Sequence, residues 1–201
     1  MKELFEVIEG MFGHKKSSIK NIDKLVEEYG SIIKKGKLTF RRKFDYELKK
    51  IERNANLPST KRKFKNDFKK KKRKISLEIY LIKRKTLYIN VEKGKKAEQL
   101  FLKLYKGLKP NTSIKTAFTN RFTDNVLKGV GKEIKSGFIK NTKSFQKQVL
   151  KDIDIVKRKL NSNVTSVEWH LLNGIDEEAI EFIITNANDK GVLDLFKIII
   201  Y

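Results

Sequence analysis

Apolar residues recur at helical spacing over two N-terminal stretches, residues 2–12 and about 17–34. In the second, Ile19, Ile22, Leu25, Val26 and Tyr29 form one stripe and Gly30 is a natural stop. A third helical stretch covers about 39–55 and ends before Leu57-Pro58. The period then changes. Ile75, Leu77, Ile79 and Leu81 alternate with Ser76, Glu78 and Tyr80, and after Lys83-Arg84-Lys85 a second alternation runs Leu87, Ile89, Val91, which predicts a β-hairpin. From about Gly94 the pattern is helical again, with Ala97, Leu100, Phe101, Leu104 and Tyr105 on one face and a stop near Gly107. Pro110-Asn-Thr breaks that helix, and Ser113 to Phe118 reads as a strand leading into Arg121 and Asp124.

Two short β-type runs follow, one at Asp124 and one through Glu133, with Gly129 and Gly131 permitting a tight connection between them. Asn141 or Thr142 caps a helix whose core face is Phe145, Val149, Ile153, Val156 and Leu160. Val164 to Leu172 reads as a strand, Asp176 to Asn188 as an amphipathic helix closed by Gly191, and Leu195 to Tyr201 as a buried strand. The order α-β-β-β-α-β-α-β predicts an α/β (α+β) fold, a central mixed sheet flanked by helices, with an N-terminal helical extension. The expected division is residues 1–75 as a basic extension and 76–201 as the main domain, with its core at 94–201.

Charge adds a partner to this outline. The chain of 201 residues holds 47 Lys and Arg against 24 Asp and Glu, a formal charge of +23. Such an excess predicts attraction to a polyanion, with nucleic acid ahead of an anionic membrane. Residues 61–74 contain ten basic residues interrupted by Phe64 and Phe68 at i, i+4. A helix there would dock through its aromatics and grip phosphates with Lys69, Lys70, Lys71, Lys72, Arg73 and Lys74. Arg121, beside Asp124, joins them as a candidate phosphate contact. Cysteine is absent and histidine limited to His14 and His170, which argues against disulfides and zinc clusters. The N-terminus is too short and polar for a secretion signal or a membrane span, so no stable membrane insertion is expected.

Candidate chemistry centres on Asp124 and on Glu133-Ile134-Lys135. Hydrolysis of a phosphodiester calls for a cation on the scissile oxygens, carboxylates to hold it and help in forming hydroxide. Asp124 and Glu133 offer hard oxygen ligands for Mg²⁺ or Mn²⁺, with the Ile134 carbonyl as a third. Strand side chains alternate, so Glu133 and Lys135 share one side, where Lys135 can stabilise developing charge or orient water. Read without metal chemistry, the same acids are structural and the chain is a nucleic-acid-binding module.

The segments GKKAEQLFLKLY, RFTDNV, KEIKSG and SFQKQVLKD leading to SVEWHLL, in this order, resemble the restriction-endonuclease-like, PD-(D/E)xK, nuclease superfamily. Within it they resemble the C-terminal nuclease toxin domains of bacterial polymorphic and contact-dependent toxins. The resemblance covers about Gly94 to Tyr201; no Pro precedes Asp124. It implies a divalent-metal phosphodiesterase in which Asp124 and Glu133 are metal-binding acids, Lys135 is the catalytic lysine, Glu98 is a helix acid joining the metal shell, and Gln148 is a polar active-site residue on a helix. His170, after Trp169, matches a Trp-His pair frequent in such domains and receives no chemical role. DNA is the first expected substrate and tRNA the second. A delivered toxin further implies a cognate acidic immunity protein, action in a target-cell cytoplasm, and an import or linker role for the first 75 or so residues.

Overall fold

The computed structural model describes residues 22–30, 32–70, 75–105 and 113–201. The chain forms two contact units: a sheet unit drawn from residues 1–36 and 108–201, and a helical unit, Lys37–Gly107.

In the sheet unit, α1 (Ile22–Tyr29) leads to β1 (Ile33–Lys35). The remainder runs β2 (Ile114–Lys115), β3 (Asn120–Arg121), β4 (Asn125–Leu127), β5 (Val130–Lys135), α5 (Lys143–Arg158), β6 (Ser166–Leu171), α6 (Glu177–Asp189), a 3-10 turn at Leu193–Leu195 and β7 (Phe196–Ile200). The five-stranded sheet has the order β1-β7-β6-β5-β4; only the β4–β5 pairing is antiparallel. This is the mixed, helix-flanked α/β sheet expected from the pattern. The connections β5–α5–β6 and β6–α6–β7 step the same way across it. Right-handed crossovers therefore carry both helices to one face. That face holds Val167, Trp169, Leu171, Phe196, Ile198 and Ile200, packed with Phe145, Val149, Ile153 and Val156 of α5 and Ile180 and Ile183 of α6. Each such side chain contributes about 1.5–3 kcal/mol of burial. Thr142 caps α5 by accepting from the Phe145 amide at 3.3 Å, Asp176 caps α6 by accepting from the Ala179 amide at 2.9 Å, and Gly191 turns the chain at φ +67°.

The helical unit consists of α2 (Leu38–Asn56), α3 (Pro58–Lys70) and α4 (Leu77–Tyr105). Phe40, Phe44, Phe64, Tyr80, Ala97 and Phe101 are buried in these helices. Most of the charge resides here as well: 25 of the 47 Lys and Arg but 7 of the 24 Asp and Glu, a net +18 of the chain's +23.

Several expectations are corrected. The hairpin expected over Ile75–Val91 is instead helix from Leu77 onward, the first half of α4. Lys83-Arg84-Lys85 lacks the Gly or Asn that a tight hairpin turn requires. The line that packs has helical spacing: Tyr80 lies 5.1 Å from Phe68, Tyr88 lies 6.0 Å from Phe64 (ring centroids), and Arg84 pairs with Asp67 at 3.1 Å. Nor does a unit begin at Gly94, which sits mid-helix at a cost of about 1 kcal/mol relative to Ala. The contacts do not divide near residue 75 either. β1, from the expected extension, pairs Ile33 with Ile198 in the sheet, while α4, from the expected main domain, belongs to the helical unit. The strand over Ser113–Phe118 is shortened to Ile114–Lys115. Thr116 closes a turn there, its Oγ1 donating to the Thr119 carbonyl at 2.5 Å and accepting from the amides of Phe118 and Thr119. The expected helix at 2–12 lies outside the described residues.

Candidate active site

The β4–β5 hairpin aligns the predicted groups. Its two turn residues, Lys128 and Gly129, both have positive φ (50° and 79°), the conformation a two-residue turn needs to match strand twist. A Cβ on Gly129 would lie 2.9 Å from Thr165 Oγ1, so the site also demands close approach. Register then brings Asp124 to Glu133. The Asp124 amide donates to the Lys132 carbonyl at 3.0 Å, and its Oδ2 accepts from the Ile134 amide at 2.8 Å. The N–H and C=O of one strand residue leave by the same edge, so the Ile134 carbonyl also projects toward β4.

Glu133 and Lys135 lie on the helix-covered face, as alternation predicts, and their side chains form an ion pair. Glu133 is opposite Trp169 in β6 and is 4% exposed. Its second oxygen receives Arg121 Nη2 at 3.0 Å. Arg121 also grips Asp152 bidentately, Nε to Oδ1 at 2.7 Å and Nη2 to Oδ2 at 2.9 Å, and its Nη1 donates to the Phe122 carbonyl. Trp169 Nε1 donates to Asp152 Oδ2 at 3.0 Å, and Lys135 Nζ lies 5.5 Å from the Trp169 ring centre. Two acids and two cations thus close a buried cluster of zero net charge.

Burial works against the charge of Arg121, but Asp152 and Glu133 outweigh it and hold the guanidinium above its ordinary pKa. Burial pushes the Asp152 carboxyl up while Arg121 pulls it back. Arg121 and the Trp169 indole aim N–H donors at both Asp152 oxygens, so a proton there would face donors. The ionised form satisfies them all.

This geometry sorts the remaining candidates. Arg121 is corrected: at 6% exposure and committed to two carboxylates, it organises the cluster rather than contacting a polyanion. Gln148 is half-buried one helical turn before Asp152, on the same side of α5. Glu98 lies on α4 in the helical unit. Lys69 and Lys70 are exposed at the end of α3; Lys71, Lys72, Arg73 and Lys74 lie outside the described residues. Asp152, one turn on from Gln148, is the participant to which the sequence pattern assigned no role. Its signal was an acid beside the apolar stripe of Phe145, Val149, Ile153 and Val156.

His170 occupies the opposite face of the sheet. Its Nδ1 lies 2.8 Å from the Tyr201 hydroxyl and its Nε2 3.2 Å from Glu168 Oε2, which Lys132 also contacts. Burial lowers the His170 pKa, and the hydrogen bond from His170 is the leading cause of the depression of Glu168 to about 2. A neutral imidazole donating from Nε2 and accepting at Nδ1 satisfies both neighbours.

The donor set can be compared with what a cation needs. Mg²⁺ is commonly held by one or two carboxylates, with waters and substrate phosphate completing the shell. Here the Asp124 Oδ2 rests on the Ile134 amide, and the two Glu133 oxygens are on cations, Arg121 and Lys135. Among the described residues there is no group of three or more His, Cys, Asp or Glu able to hold a metal, the denser arrangement of an all-protein cage. No protein-family model, no curated protein and no solved structure matches the chain. Among the described residues no helix is long and apolar enough to cross a membrane.

Proposed function

We propose that this chain is a phosphodiester-hydrolysing nuclease, with DNA as the favoured substrate and tRNA as the second, built on Asp124, Glu133 and Lys135. The observation that carries this reading is the convergence of these three residues, 11 positions apart at most, on one hairpin: the Asp124 carboxylate rests on the Ile134 amide and Glu133 touches Lys135. Asp124 and Glu133 would hold Mg²⁺ or Mn²⁺. Bound there, the cation would polarise a phosphoryl oxygen and lower the pKa of a water. The Lys135 ammonium supplies positive charge where the phosphorane develops its own negative charge. Asp152 and Arg121 position Glu133, and Trp169 and α5 keep bulk water from it. Gln148, half-buried on α5, would orient a phosphate or a water.

The resemblance to PD-(D/E)xK toxin domains supports the same reading and extends it to a delivered toxin, active in a target-cell cytoplasm and restrained by an acidic immunity protein. A second reading has an observation of its own. Both Glu133 oxygens are already engaged by cations, as in a purely structural ion cluster, which suits a non-catalytic nucleic-acid-binding module. Incubating the protein with plasmid DNA and with total RNA, in Mg²⁺, Mn²⁺ and chelator, separates the two. The hydrolytic reading expects cleavage that chelator stops; intact substrates under every condition would leave the binding module.

A further inference from the structure

The outward face of α2 carries a pattern that neither the hydrolytic site nor the 61–74 stretch accounts for. Arg42, Tyr46, Lys49 and Arg53 fall at i, i+4, i+7 and i+11, and so share one side of the helix over about 16 Å of axis. The opposite side, Phe40, Phe44, Ile51 and Ala55, is buried. All four outward residues are exposed, Tyr46 at 59%, with Lys50 Nζ over its ring at 4.3 Å. Flanking acids are occupied: Asp45 pairs with Arg41 at 3.0 Å, and Glu47 with Lys50 and Lys96 at 3.4 Å each. The exposed Glu52 borders the stripe. Arg42 and Lys49 form no ion pair with any described residue.

We infer that this face of α2 binds single-stranded nucleic acid, with Tyr46 stacking on an unpaired base and Arg42, Lys49 and Arg53 on the flanking phosphates. An aromatic ring among cations suits a polymer that alternates flat bases with anions, and stacking needs a base outside a duplex. A bilayer would need a broad apolar face. That of α2 is already buried, and its exposed apolar residues are Tyr46 and Leu38 alone. The surrounding unit, at +18, adds sequence-independent attraction. The choice of nucleic acid among polyanions rests on the nuclease reading and names its substrate form: a single strand, or the unpaired loop of a folded one.

The test is fluorescence anisotropy of the full chain with labelled oligo(dT), oligo(U) and a duplex of equal length, in chelator so that metal-dependent cleavage is silent. Tyr46→Ala weakens single-strand binding by about tenfold, changes duplex binding less than about twofold, and Tyr46→Phe restores it. The triple variant Arg42→Ala/Lys49→Ala/Arg53→Ala lowers the slope of log K against log salt by about 2, roughly 0.7 per lost phosphate contact. Unchanged binding by Tyr46→Ala, or equal losses on single strand and duplex, would overturn the inference. So would Tyr46-dependent association with phosphatidylglycerol vesicles in place of oligonucleotides. Tyr46-dependent binding without cleavage would leave the inference standing and reject hydrolysis; cleavage with Tyr46-independent binding would do the reverse.

Discussion

Asp152→Ala tests how the buried cluster is held together. Asp152 is 1% exposed and accepts two hydrogen bonds from Arg121 and one from Trp169. Removing one partner of a buried ion pair typically costs about 3–5 kcal/mol, because the other charge stays desolvated. Arg121 would retain Glu133 and the Phe122 carbonyl, which places the guanidinium's share near the lower end. The Trp169 indole N–H adds about 1 kcal/mol as an unsatisfied buried donor. A total of about 4 kcal/mol is a large part of the roughly 5–15 kcal/mol that holds a typical domain together. The chain's one tryptophan, Trp169, is in the cluster, so its fluorescence in a urea titration follows the sheet unit directly. At an m-value of about 2 kcal/mol per molar, the midpoint drops by about 2 M. The double variant Arg121→Leu/Asp152→Leu removes both charges and should recover at least half of that loss. A single-variant cost under about 1 kcal/mol, or a double variant whose cost equals the sum of the single ones, would refute this account of the cluster.

Further outcomes follow from the same geometry. Asp124→Asn weakens Mn²⁺ binding by at least about tenfold in calorimetry, because a neutral amide replaces one of two anionic donors; an unchanged isotherm rejects the ligand role. On acidification, stability falls in two windows. His170 is depressed below its ordinary 6.5, so its contribution is present above that value and is lost as pH falls toward the lower folded value. Glu168, depressed from 4.5 to about 2, contributes fully above 4.5 and loses that contribution between those limits. Urea midpoints against pH should show both windows, and Glu168→Gln should abolish the lower one; an unaltered profile contradicts the pairing. Gly131→Ala puts a Cβ 2.9 Å from Val164 Cγ1 and 3.3 Å from Thr123 Cγ2, and should destabilise by about 1–3 kcal/mol in the same titration. A neutral Gly131→Ala would show that this edge of the sheet relaxes freely.

The second half of the chain was readable because its signals agree. Thr142 and Asp176 cap helices whose apolar stripes have clear period, Gly191 stops the second, and the long apolar runs at β6 and β7 suit strands covered by two helices on one face. Ile75–Val91 misled because Leu, Ile and Lys serve helix and strand alike. The deciding contacts, Tyr80 and Tyr88 against Phe68 and Phe64, come from a different helix. β1 is three residues long and depends on pairing with Ile198, some 160 positions away, which no local pattern announces. At the candidate site, alternation correctly put Glu133 with Lys135, and the glycine turn correctly brought Asp124 near. Burial of Arg121 could not be read locally, since its partners Glu133 and Asp152 come from two other elements.

The most direct measurement of the central claim is plasmid nicking by wild type, Glu133→Gln and Lys135→Ala side by side in Mg²⁺, with folding of each confirmed by Trp169 emission. Wild type should cleave, and both variants should lose at least about a hundredfold in rate while keeping the emission of the folded protein. Equal cleavage by all three folded proteins would contradict the assignment of these side chains to catalysis.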